Sequence, residues 1–267
     1  MPDLALDPER FIHGQEDPEG PLIPVVVSLT FPGMGRSAYD LALDLTTTAF
    51  DEVRATGGRP RLVDSAAASP DEIAEICDGA DALLFLGGAD VDVSCYGYTG
   101  PAPRGYYGAD LGADEFCLEL IREGVRRDLP TLTLCRGSQL LNVAFGGTLI
   151  PDIEHWEIHR GPGGEALMID EPVTLEPDSR IADVLGRTDV VVRNGHHQAV
   201  DRVGDELRAV AHAADGIVEG TEHRTASWVL GLQWHPEEQG ADLGDRRLIF
   251  AALVQRGRER IRQHSAS

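Results

Sequence analysis

Hydrophobic and polar positions along this 267-residue chain follow two rhythms. Up to about residue 150, short apolar runs alternate with longer stretches of helical period. "PLIPVVVSLT", "RPRLVD", "DALLFLGG" and "LPTLTL" predict strands, most of them continuous enough in apolar character to be buried on both faces. Between them, "SAYDLALDLTTTAFDEVRATGG" carries helical spacing and ends in a Gly-Gly C-cap, while "SPDEIAEICDGA" opens with Ser-Pro and acids, a helix start. Further helices are predicted over 112–127, 136–145 and 243–260. In the later part, "PVTLEP", "DVVVRN", "ELRAVAHA", "GIVEGTE" and "WVLGLQW" are short strands with close turns. This alternation predicts an α/β fold, a parallel sheet sandwiched by helices, with a smaller mixed or antiparallel sheet appended in the C-terminal half. Residues 1–21, polar and acidic, read as a flexible N-terminal arm, and 22–260 as a single domain.

Composition narrows the chemistry. A formal charge of −22 argues against a nucleic-acid or anionic-membrane partner, since such surfaces need clustered cations. The chain has no lysine, so all 23 basic residues are arginine, and Schiff-base, Walker-A and Ser-Lys chemistry are excluded. Cys77, Cys95, Cys117 and Cys135 form no CxxC pair, which predicts reduced thiols in a cytoplasmic protein. No apolar run is long enough for a membrane span, and the acidic first twenty residues lack a signal-peptide core.

Three strand ends stand out. In "TLTLCRGSQLLNVAFGG", Cys135 sits where a strand stops and a helix begins, with Gly137 two residues on. A sharp strand-to-helix corner lifts a nucleophile above the sheet and aims the helix's free N–H groups at it. Taken alone, Cys135 also reads as a small core residue. "LFLGGAD" sets Gly87 and Gly88 at another strand end, where a backbone N–H can face a reacting carbonyl oxygen. "GLQWHPEE" puts His235 just after a strand, with Glu237 two residues later. Nucleophile, oxyanion donors, base and orienting carboxylate would then meet at the carboxyl edge of one sheet. Two histidine pairs invite a metal reading, His155 with His159 in "HWEIH" and His196 with His197. The first is not HExxH and reads as a surface loop near the site mouth, so no metal is expected. Tyr96, Tyr106 and Tyr107 fall in a Gly/Pro/Tyr-rich loop over 89–109, long enough to serve function.

These motifs resemble the class I glutamine amidotransferase-like superfamily, and within it the γ-glutamyl hydrolase branch, over about residues 22–257. "LCRGSQLLNVAFGGTLIPDI" resembles the nucleophile motif, "LGGADVDVSCYG" the oxyanion loop, "HHQAV" the substrate-side loop, and "GIVEGTE" with "GLQWHPE" the terminal motif. The resemblance implies a flavodoxin-like fold, Cys135 as nucleophile, His235 as base and Glu237 as its partner. It also implies Gly88 and Arg136 as oxyanion donors and Gln139 as a contact to the glutamyl group, with Gly87, Asn194, His196, His197 and Gln198 on the substrate side. The implied reaction is cofactor-free hydrolysis of a small γ-glutamyl amide, from γ-aminobutyrate or a related amine or polyamine. A glutaminase subunit serving a separate synthetase and a non-catalytic relative are the alternatives, and homodimers are usual in the branch. Four positions depart from the pattern: Thr133 for a usual Gly, Val93 for Pro, Cys117 for Glu, and "VRNGHHQ" for Val-Asn-Ser-x-His-His-Gln. The last supplies Arg193, read either as a fork for a substrate carboxylate or as a solvated strand-end charge.

Overall fold

A computed structural model describes residues 4–163 and 167–265. In chain order the elements are β1 (Leu22–Val27), α1 (Arg36–Ala55), β2 (Arg59–Asp64), α2 (Ile73–Gly79), β3 (Leu83–Phe85), α3 (Leu111–Arg126), β4 (Thr131–Leu134), α4 (Arg136–Ala144) and β5 (Leu149–Ile150). They continue with β6 (Ile169–Leu175), α5 (Arg180–Leu185), β7 (Asp189–Asn194), β8 (Ala199–Val200), β9 (Leu207–Ala213), β10 (Val218–His223), β11 (Val229–Leu232) and α6 (Leu243–Ser265).

One sheet runs through the molecule in the order β2-β1-β3-β4-β11-β10-β9-β6-β7, with β5 and β8 paired to each other beside β10. Its first five strands are parallel, and from β11 to β7 every pairing is antiparallel. The fold is thus α/β and flavodoxin-like. The antiparallel strands continue the same sheet through β11 rather than forming a separate layer. Period-2 alternation explains the continuous apolar runs. Val25, Val27, Leu84, Leu132, Leu134, Leu230 and Leu232 pack on the face covered by α1, α5 and α6. Val26, Leu83, Phe85 and Val229 pack on the opposite face, under α2, α3 and α4. Both faces of β1, β3, β4 and β11 are dry, so their buried runs carry apolar side chains or threonine rather than an alternation of apolar and charged positions.

The N-terminal arm, expected to hang loose, is docked over residues 4–21. Leu6 and Phe11 are buried, the Leu6 N–H donates to the Leu29 carbonyl, and Phe11 meets Phe50 with ring centroids 5.5 Å apart. The Arg54 guanidinium donates to the Phe11 carbonyl at 2.5 Å. Two apolar anchors outweigh the ordering cost that the arm's polar composition suggested.

Two departures in the sequence are absorbed locally. Thr133, fully buried, lies in register with Gly231 on β11, where an added Cβ would come 3.1 Å from the Thr133 hydroxyl. The bulk that Thr133 adds to β4 is thus met by a missing side chain on β11. Val93 keeps a backbone N–H that proline lacks and donates it to the Tyr106 hydroxyl at 3.4 Å.

Candidate active site

Strands β3, β4 and β11 are neighbours and parallel, so their carboxyl ends emerge side by side. They deliver Gly87-Gly88, Cys135 and His235 to one edge, with Cys135 in the middle. Cys135 adopts φ 48°, ψ −109°, a left-handed conformation that costs a non-glycine residue on the order of 1–3 kcal/mol and persists only where its surroundings impose it. Those surroundings are hydrogen bonds on both sides of the corner. The Cys135 N–H donates to the Leu232 carbonyl at 2.8 Å, and its carbonyl accepts the Ser138 N–H at 2.9 Å in the first turn of α4. Gly137 serves close approach: a Cβ there would stand 2.9 Å from Phe85 Cβ and 3.0 Å from its carbonyl oxygen.

Cys135 and the His235 imidazole lie side by side against Gly87, where an added Cβ would stand 3.4 Å from Cys135 Cβ and 2.7 Å from His235 Cε1, and His235 Nδ1 lies 2.8 Å from Glu237 Oε1. All three residues are buried, with Cys135 at 8% exposure reaching a cavity of about 310 Å³. Burial opposes a charge on His235, but the adjacent Cys135 and Glu237 outweigh it and raise its pKa well above the usual imidazole value. Gln233 adds a donor, with Nε2 3.5 Å from the Cys135 sulfur. Among the described residues, the N–H groups of Gly88 and Arg136 have no acceptor. Both therefore remain available on the helix-N-terminal side of the thiol. Gly87 leaves room for the imidazole, since a Cβ there would come within 2.7 Å of His235 Cε1.

The Arg136 side chain turns away and pairs with Asp114 Oδ1 at 2.6 Å, both groups buried. The carboxylate expected at position 117 thus comes from Asp114 of α3, three residues earlier. Burial pushes the thiols of Cys77 and Cys117 up to about 11 and that of Cys95 to about 12.

The peptidase C26 family profile matches residues 21–237. The chain belongs to the peptidase C26 family. Membership puts it among the class I glutamine amidotransferase-like hydrolases. A Mycobacterium tuberculosis protein described as a glutamine amidotransferase is 36% identical over 208 residues, covering 77% of this chain and 65% of that protein. Protein NtpR of Enterococcus hirae is 33% identical, covering 70% of this chain and 79% of its own length. The γ-glutamyl-γ-aminobutyrate hydrolase of Escherichia coli is 28% identical, covering 74% and 80%. A crystal structure of a Thermoplasma acidophilum protein, described as part of a GMP synthase, superposes with TM-score 0.65 at 19% identity, covering 93% of this chain and 98% of the other. That last likeness concerns the fold.

Within this C26 chain, the other sequence candidates divide. Gln139 is buried behind the thiol and donates to Gln233 Oε1 at 3.1 Å and to the Gln198 carbonyl at 3.0 Å, so it braces the site from beneath. Gln198 accepts the Val91 N–H at 2.9 Å, and His197 bridges Asp90 at 2.8 Å and Asp152 at 3.2 Å. Burial works against a charged His197, but these two carboxylates raise its pKa. The His-His-Gln segment thereby ties down the 89–109 loop, whose Tyr107 lines the cavity and stacks on His197. Tyr96 is buried in the core instead, and Tyr106 bonds Asp92 at 3.1 Å. Asn194 and His196 are withdrawn into a separate buried cluster.

Arg193 does not face the cavity. Its guanidinium is spent on Glu238 at 2.8 Å, Asp170 at 2.9 Å and the Met168 carbonyl, on the other side of β7. A strand's alternation sends 193 and 194 to opposite faces, which decides between its two readings. The cavity's cation is Arg160, which sequence reasoning missed. It lines the pocket, lies over the Trp156 ring at 5.7 Å, and keeps a buried Nε without a hydrogen-bond partner among the described residues. Its only sequence signal is its place directly after "HWEIH", a segment that reads as a surface loop. The opposite wall is apolar, from Phe31 and from Ala38, Leu41, Ala42 and Leu45 of α1.

Proposed function

We propose that this chain hydrolyses γ-glutamyl amides through a γ-glutamyl thioester on Cys135. The observation that carries the reading is the strained Cys135 corner, set beside a His235 that Glu237 orients, opening on a cavity lined by Arg160. The thiolate of the Cys135–His235 ion pair adds to the γ-carbonyl carbon, and the electron pair displaced onto oxygen is held by the Gly88 and Arg136 N–H groups. The imidazolium gives its proton to the amide nitrogen as the C–N bond breaks, releasing the amine. Neutral His235 then takes a proton from water, whose oxygen attacks the thioester. Collapse of that second adduct frees glutamate and returns the thiolate and imidazolium.

Arg160 is assigned to a substrate carboxylate, the α-carboxylate of the glutamyl group, by a charge-assisted bond. The apolar α1 wall suits an amine with a hydrocarbon stem, such as γ-aminobutyrate or a diamine. No residue in these steps calls for a cofactor. The test is glutamate release from a panel of γ-glutamyl amides (γ-aminobutyrate, putrescine, spermidine, ethanolamine) beside free glutamine. The reading expects the aliphatic γ-glutamyl amines to exceed glutamine by about tenfold or more in kcat/KM. Preference for glutamine, or turnover only with an added synthetase, would replace it with the ammonia-delivering alternative.

A further inference from the structure

Beneath the wall that carries Arg160 and Gly195 lies a second polar cluster, sealed from solvent and outside the reaction scheme. His159 comes from the segment after β5, Glu171 from β6, Asn194 from β7, His196 from the following loop and Glu219 from β10; all five are buried. One ligand atom from each of His159, Glu171, His196 and Glu219 lies within 4.8 Å of all the others. His159 Nδ1 is 2.9 Å from Glu171 Oε1 and 3.7 Å from Glu219 Oε1, and His196 Nε2 is 3.2 Å from Glu219 Oε1. These separations scatter around ~3.4 Å, the edge of a tetrahedron with ligand bonds of about 2.1 Å.

The outer contacts fix which atoms face inward. His196 Nδ1 sits 2.9 Å from the Gln198 carbonyl, an acceptor only, so Nδ1 carries the proton and Nε2 presents a lone pair to Glu219. His159 Nε2 sits 3.0 Å from the Asp215 carboxylate, so its Nδ1 presents a lone pair to Glu171. Asn194 Nδ2 donates to the outer oxygens of both carboxylates, Glu171 Oε2 at 2.6 Å and Glu219 Oε2 at 2.8 Å. The inward atoms His159 Nδ1, His196 Nε2 and Glu219 Oε1 are all buried without a hydrogen-bond partner among the described residues, close to one another yet not aligned for N–H bonds. Lone pairs that converge on one point, each backed by an oriented outer partner, are the arrangement of a metal site. Two buried carboxylates without a buried cation also require a positive charge there.

A proton is the rival counter-charge. Although burial disfavours a charged His159, its contacts with Glu171, Asp215 and Glu219 raise its pKa to about 9. One such proton balances one carboxylate and leaves His196 Nε2 facing Glu219 lone pair to lone pair. A dication balances both.

We propose that His159, Glu171, His196 and Glu219 bind one divalent first-row metal ion, zinc by their two-imidazole, two-carboxylate donor set, as a structural brace for the cavity wall. The ion ties the segment ending in Arg160 to the loop of Gly195 and His197. It takes no part in the hydrolysis, so the site stands or falls independently of the proposed reaction.

Elemental analysis of the purified full-length chain tests this, with about one zinc per chain expected. Stripping by a chelator at neutral pH should lower the melting temperature by about 10 °C and re-addition of zinc should restore it, the size expected of a ligand bound at about a thousandfold its Kd. Glu219→Gln and His196→Ala should lose the metal, and His155→Ala, an exposed histidine of the same "HWEIH" stretch, should keep it. Absence of bound metal together with failure of the chelator-treated chain to take up zinc would overturn the proposal. So would zinc lost from His155→Ala but retained by Glu219→Gln. Stripping and reloading the unmutated chain decides the matter should the variants fail to fold.

Discussion

Two buried polar groupings, one at the end of each half of the sheet, meet the problem of desolvated charge differently. In the parallel half, Cys135, His235 and Glu237 form a row, His235 beside the thiol and hydrogen-bonded to Glu237, and the first of them opens on a cavity. In the antiparallel half, His159, Glu171, His196 and Glu219 form a buried ring in which the inner atoms of His159, His196 and Glu219 have no hydrogen-bond partner among the described residues. The row faces a cavity, as the proposed hydrolysis requires; the ring is closed, with lone pairs turned inward, as the proposed metal ion requires. Burial and titratable residues alone would not have separated these roles. What separates them is where the lone pairs point.

Substitutions sharpen that contrast. Cys135→Ala should lower kcat/KM by about 10⁴-fold or more while leaving the melting temperature within about 2 °C, because it removes the nucleophile and relieves a strained corner. Activity assays with thermal denaturation check both halves of that expectation. Glu237→Gln should lower kcat by about 10²–10⁴-fold. It should also move the alkaline limb of the pH profile to lower pH. The folded protein binds the His235 proton more tightly than the unfolded chain does, so that proton stabilises the fold below about pH 6.5 and the contribution fades as pH rises through the raised pKa. Removing the Glu237 charge lowers that pKa, and the imidazolium is lost sooner.

Asn194→Ala should do the reverse of Cys135→Ala. It deprives two buried carboxylates of their shared donor, at a cost of about 3 kcal/mol in stability, while kcat falls less than about threefold. Urea denaturation beside steady-state kinetics reads the split. Arg160→Ala, at the junction of the two groupings, should raise KM by about 10–100-fold for every γ-glutamyl amide with little change in kcat. A KM change confined to the γ-aminobutyrate substrate would move Arg160 to the leaving group. Arg193→Ala is expected to leave KM unchanged and to cost about 1 kcal/mol or less, its ion pairs being partly exposed.

How legible the two groupings were in the sequence follows from how each is built. The row comes from strand ends, and a strand end announces itself: an apolar run stops, then Cys135-Arg136-Gly137, Gly87-Gly88 or His235-Pro236-Glu237 follows within three residues. The parallel half of the fold was readable for the same reason, since double burial leaves continuous apolar runs. Three things were not readable. The docking of the arm depends on two isolated apolar residues, Leu6 and Phe11, in a polar stretch. Which of its two readings Arg193 takes, and that Arg160 lines the cavity, stayed hidden because sequence gives a residue's position but not which face of a strand end it leaves. The ring joins residues from 159 to 219 across strands whose register no local pattern reveals. "HWEIH" suggested the wrong pair: its middle forms a short 3₁₀ turn over Trp156–Ile158, so His155 and His159 share no helical face, and only His159 is buried.

The nucleophile assignment is tested most directly by trapping. Incubation with a glutamine-derived diazoketone, followed by peptide mass spectrometry, should give one γ-glutamyl-type adduct on Cys135, slowed by His235→Ala and blocked by excess γ-glutamyl substrate. Modification of Cys77, Cys95 or Cys117 with Cys135 left free, or no adduct on a chain that still turns over substrate, would contradict it.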